Sequence, residues 1–131
     1  VKRMREVGVR VLIGGDYGLN ITPHGTYAKE LQYFTDYFGF SPAEALQAAT
    51  KHGGEAFMPE GNLGTLESGK IADMVVLTEN PLENISALQN PDTIAAVIKD
   101  GSIYTGLLDQ QSPHHKSPHH LHQMLGALPC N

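Results

Sequence analysis

The sequence predicts an α/β chain, and three observations carry that reading. A β-branched-rich run, Val9 to Ile13, ends in Gly14-Gly15, two amphipathic segments then follow at helical spacing, and beyond Met58 the pattern changes to short β-type runs bounded by glycine. With 131 residues, 40% hydrophobic and 18% charged, the composition is that of a globular protein with material for one core.

The chain starts at Val1 rather than Met, and "VKRMREVGV" reads as the last turns of a helix feeding a strand, so a chain cut from something longer is expected. Val9, Val11, Leu12 and Ile13 have the profile of a strand buried on both faces, as in a parallel sheet. After a loop with Pro23 and Gly25, the segment Thr26 to Phe38 places Tyr27, Leu31, Phe34 and Phe38 on one helical face, and Gly39 marks its stop. "SPAE" then predicts a second helix over Pro42 to Lys51. Ser41 caps it, Pro42 takes the first position, Glu44 completes a capping box, Phe40 staples the entry, and Gly53-Gly54 ends it. "MVVL" (74–77) and "TIAAVI" (93–98) read as strands, and Asp100-Gly101 before "SIYT" is a two-residue hairpin signal. From Asp109 the chain carries "SPHHKSPHH", a low-complexity repeat expected to be disordered.

The net charge of -5 argues against a nucleic-acid partner, since a phosphate backbone needs a basic field. No apolar segment approaches the roughly 20 residues that cross a bilayer, and Arg10 breaks the one run resembling a signal peptide, so no membrane partner is expected. The single cysteine, Cys130, excludes an internal disulfide and is compatible with a reducing compartment; cytoplasm is the expected location.

Taken in order, "GVRVLIGGDYG", "HGTYAKELQYFTDYFGFSPAEALQAAT", "GNLGTLESGKIADMVVLTENPLENI" and "AAVIKDGSIY" resemble the C-terminal portion of the amidohydrolase superfamily, in the branch that includes imidazolonepropionase-like and prolidase-like enzymes. The resemblance spans Val7 to Tyr104. It implies the last β/α units of a (β/α)8 TIM-type barrel over residues 1–57, then part of a small β-sandwich, a composite domain, over 58–108, with a His-rich tail over 109–131. It also implies a metal-dependent hydrolase of amide or other carbon-nitrogen bonds in small-molecule substrates, holding one or two divalent ions, zinc above all. By match of motif, Asp16 is the strand-eight carboxylate that binds metal and takes a proton from the attacking water. Catalytic residues of such barrels stand at the C-terminal ends of strands, which is where Val9 to Ile13 would deliver Asp16.

Each candidate has a plainer reading beside it. Asp16 could cap nearby backbone N–H groups. His24 could contact substrate, or be a solvated loop side chain or local hydrogen-bond partner. Tyr17 could line the pocket or pack. His52 fits a helix C-terminus without any function, and Asp73 reads as a structural carboxylate at the turn into a strand. Five of the seven histidines, His114, His115, His119, His120 and His122, lie in the tail, where adventitious metal affinity is the most expected.

The superfamily's other metal ligands have no counterparts here, and such a barrel takes about 250 residues. The resemblance therefore implies a chain that is incomplete as a standalone domain, inactive alone and prone to self-association. A catalytically inactive standalone module, binding metal or a partner through its His-rich tail, stays open as the rival.

Overall fold

The structure, a computed structural model, describes residues 1–105. The tail with its five histidines and Cys130, and the end of the 58–108 segment, lie outside the described residues.

Helix α1, Lys2–Glu6, is one short turn of the expected N-terminal helix. It is fastened by Arg5, whose guanidinium donates to the Gly39 carbonyl at 2.6 Å, pairs with Glu44 at 2.5 Å and lies 3.7 Å from the Phe40 ring centroid. One side chain thus ties the chain's start to the α2–α3 junction.

The run after α1 departs from expectation. Val9 to Ile13 pairs with no described segment, so the predicted strand is absent as a ladder. It is not buried on both faces either: Val11 and Ile13 pack against the core, while Val9 and Leu12 are 44% and 38% exposed. The physical reason lies in what a strand is. A parallel strand is made by its neighbours' N–H and C=O groups, and the described residues provide none beside this run.

Helix α2, Lys29–Phe38, starts three residues later than predicted. Thr26 and Tyr27 instead form a turn, with the Thr26 hydroxyl donating to the Pro23 carbonyl at 2.8 Å. Gly39 ends the helix in the left-handed conformation, as expected. Helix α3, Pro42–Gln47, carries the full capping box between Ser41 and Glu44.

The predicted stop at Gly53-Gly54 is overturned. The helix continues through a π-type turn, Ala48–His52, into α4, Gly53–Phe57. These glycines serve a close crossing rather than a break. A Cβ on Gly54 would stand 2.8 Å from the Leu63 carbonyl carbon, and on Gly64 it would fall well inside contact with the Thr50 carbonyl. Backbone meets backbone there, and no side chain fits between.

The later β runs form one three-stranded antiparallel sheet in the order β1 (Met74–Leu77), β2 (Ile94–Lys99), β3 (Ser102–Thr105). Val75 faces Val97 and Ile98 faces Ile103. Asp100 and Gly101 both take positive φ, 49° and 77°, as a primed hairpin turn requires. Asp73 clamps this hairpin: its carboxylate accepts the Asp100 N–H at 2.8 Å and pairs with Lys99 at 2.5 Å. Those two bonds, Lys99 first, hold its carboxyl below the ordinary range, in keeping with its structural reading.

Leu31, Phe34, Ala45, Ala48 and Ile85 form the principal core, with Phe34 centred 4.7 Å from Phe40 and 5.5 Å from Phe38. Ile85 comes from a 3-10 turn, Ile85–Gln89, that packs on α2. An apolar cleft of about 740 Å³, lined by Leu31 and Leu46 on one side and Met74, Leu77 and Val97 on the other, separates helices from sheet. No helix among the described residues is long and apolar enough to cross a membrane.

Candidate functional site

Asp16 follows the Val9 to Ile13 run by way of Gly14-Gly15 and opens a compact turn. Its carbonyl accepts from the Thr22 hydroxyl at 2.8 Å, the Gly18 N–H donates to the Thr22 carbonyl at 2.9 Å, and Leu19 and Thr22 pair as a single antiparallel bridge. The backbone at Asp16 is thereby fixed while its side chain stays exposed.

Tyr17 and His24 meet through Tyr27. The Tyr17 and Tyr27 rings are centred 4.4 Å apart, edge to face. His24 Nδ1 lies 2.6 Å from the Tyr27 hydroxyl, and its Nε2 sits against Gly18, where an added Cβ would be 2.9 Å away. The three candidates thus share one loop, with Tyr17 and His24 bound to the same tyrosine and Asp16 standing beside them.

No described donor reaches the Asp16 carboxylate. It caps no described backbone N–H, and the Gly14 N–H nearby donates to Glu30 Oε1 at 3.2 Å. Glu30 rises from the first turn of α2, and its other oxygen lies 3.4 Å from the Tyr17 hydroxyl. Burial pushes the Tyr17 hydroxyl up, and the Glu30 charge adds to the shift. Sequence reasoning missed Glu30, since an acidic residue in a first helical turn is already accounted for by the helix dipole.

A catalytic zinc takes three protein ligands and keeps a position open. Among the described residues no group of three His, Cys, Asp or Glu converges to supply them. Among the described residues, Asp16 therefore stands without two further ligands beside it, and its carboxylate is exposed and engaged by no described donor.

Comparison with known proteins places these features in a family. The profile of the Amidohydrolase family matches residues 1–104. Ochratoxinase of Aspergillus niger is 36% identical over 102 residues, covering 77% of this chain and 20% of the relative. Imidazolonepropionase of Symbiobacterium thermophilum is 32% identical over 102 residues, covering 78% and 24%. The crystal structure of a Xaa-Pro dipeptidase with methionine bound in its active site superposes with a TM-score of 0.71 at 37% identity, over 80% of this chain and 24% of that one. The chain spans about a fifth to a quarter of the length of these relatives. By the match over residues 1–104, this chain belongs to the amidohydrolase family.

Proposed function

We propose that this chain is the C-terminal portion of a metal-dependent hydrolase cleaving amide or other carbon-nitrogen bonds of small molecules, with Asp16 as its catalytic carboxylate. The observation that carries the reading is the state of Asp16: backbone fixed by Thr22, side chain exposed and unclaimed, at the end of an apolar run packed on the helical core. Two relatives bear names of carbon-nitrogen hydrolysis, imidazolonepropionase and Xaa-Pro dipeptidase, and ochratoxinase is a third hydrolase.

On this reading residues 1–57 complete a (β/α)8 barrel and residues 58–108 a composite β-sandwich, with the remainder supplied by segments outside this chain. Val9 to Ile13 gains its ladder there, which accounts for its exposed Val9 and Leu12. A divalent ion, zinc in the first instance, would supply Lewis acidity that lowers the pKa of water, with Asp16 as one of the residues holding it. The Asp16 carboxylate accepts the proton of the attacking water as the C–O bond forms. The same proton passes to the leaving nitrogen as the C–N bond breaks. His24 and Tyr17 border the substrate; Tyr27 fixes the ring of the first, and Tyr27 with Glu30 that of the second.

The test is turnover of N-acyl amino acids and Xaa-Pro dipeptides by the full-length enzyme carrying this chain, before and after chelation and after zinc is restored. Loss on chelation and recovery with zinc supports the reading; undiminished turnover after exhaustive chelation, or none on any carbon-nitrogen substrate, contradicts it.

A further inference from the structure

We propose that Glu30 is a positioning residue for Asp16, holding the peptide on both sides of that carboxylate. This rests on the reading of Asp16 given above. The Glu30 carboxylate accepts the Gly14 N–H at 3.2 Å, two residues before Asp16, and its second oxygen stands 3.4 Å from the hydroxyl of Tyr17, one residue after it. Between these anchors lies Gly15, and a Cβ built there would be 3.5 Å from each carboxylate oxygen and 3.2 Å from Cε2 of Tyr17. The carboxylate is therefore seated in contact with the Gly14-Gly15 backbone.

Glu30 is well placed to do this because it belongs to α2, whose Leu31 and Phe34 are buried in the core. The loop over residues 14–28 is largely exposed; its far end is bonded to α2, whose Lys29, Glu30 and Leu31 N–H groups donate to the Thr26, Tyr27 and Ala28 carbonyls, while the stretch around Asp16 is held by the Thr22 hydroxyl within the loop. Glu30 couples that stretch to the rigid part of the molecule. Were Asp16 to accept the Gly14 N–H itself, the bond would occupy a lone pair and lower the basicity that the reaction needs. The division of labour is that Glu30 satisfies the backbone and Asp16 remains free. A catalytic group is effective only when its geometry is held by a supporting shell, and displacement of about 1 Å can cost 100-fold in rate.

Gln at this position keeps an acceptor for the Gly14 N–H and an amide able to donate to the Tyr17 oxygen, whereas Ala keeps neither. The experiment compares E30A, E30Q and D16N in the full-length enzyme, reading kcat and KM separately, and follows the Gly14 amide resonance by 1H–15N NMR of the 131-residue chain carrying E30A or E30Q. Expected is a fall of about 10- to 100-fold in kcat for E30A with KM nearly unchanged, substantial recovery in E30Q, and a shift of the Gly14 resonance in E30A much larger than that of Gly69. A purely structural role would lower the apparent kcat only in proportion to lost folded protein, leaving KM and the kcat per folded enzyme unchanged, so kcat is read per folded enzyme. Wild-type kcat in E30A, or an unmoved Gly14 resonance, overturns the positioning role while leaving the Asp16 reading untouched. Full turnover in D16N overturns that reading, and with it this one.

Discussion

Replacing Gly64 with alanine should destabilise the chain far more than the same change at Gly61, although both glycines have positive φ, 88° and 80°. Each variant bears the cost of placing an L-residue in left-handed backbone, about 1–2 kcal/mol. At Gly61 nothing lies within 4 Å of the added carbon, so that is the whole effect. At Gly64 the new carbon runs into the Thr50 carbonyl and stands 3.0 Å from Lys51 Cα, so loop and helix must part; overpacking of this kind adds about 1–3 kcal/mol. Gly54→Ala isolates the clash, because its backbone is helical. Alanine there gains about 1 kcal/mol of helix propensity yet meets the Leu63 carbonyl carbon at 2.8 Å, and it should still be destabilising. Urea unfolding followed by far-UV circular dichroism measures all three. With a slope of about 1–3 kcal/mol per molar, the Gly64 variant should unfold about 1 M earlier than the Gly61 variant. Coincident midpoints would refute the backbone crossing as the reason for these glycines.

Ser41→Ala removes the side chain that caps α3 and should cost about 1 kcal/mol in the same assay. Glu44 is held below the ordinary carboxylate range, first by the Ser41 N–H and then by the Ser41 hydroxyl, with Arg5 adding to it. A depressed acid contributes stability above its unfolded pKa and loses it as pH falls through the folded one. Unfolding midpoints should therefore decline below about pH 4.5, and Glu44→Gln should shallow that decline; an unchanged slope would remove Glu44 as a contributor. The 131-residue chain by itself should associate as its concentration rises in sedimentation velocity, since Ile21, Phe57 and Leu66 are 87%, 83% and 74% exposed and the cleft beside Leu31 is open. A single monomeric boundary at all concentrations would oppose this.

The features legible in the sequence are those set by local chemistry. Leu31, Phe34 and Phe38 announce their helix by spacing, Ser41 and Glu44 announce a cap, and Asp100-Gly101 announces a turn, because each signal is complete within a few residues. What failed depended on distant partners. The run at Val9 to Ile13 has the composition of a strand, but a ladder is a property of two segments. Gly53-Gly54 looked like a helix stop because the Leu63–Gly64 backbone that crosses it is remote in sequence. The candidate site divides the same way. Asp16 is proposed from its motif, whereas Glu30, 14 residues on and unremarkable in its own helix, is tied to its neighbours only through the Gly14 N–H and the Tyr17 hydroxyl.

The central claim is that the Asp16 carboxylate performs the proton transfer, and turnover by Asp16→Asn in the full-length enzyme tests it most directly. Asparagine keeps the shape of the side chain and disturbs no described hydrogen bond of the loop, since only the Asp16 carbonyl oxygen is engaged. Folding, followed by circular dichroism and unfolding midpoint, should be unchanged. The rate constant should fall by about 100-fold or more, the scale of a positioned general base. Turnover within a few-fold of wild type in a folded, metal-loaded Asp16→Asn enzyme would contradict the account.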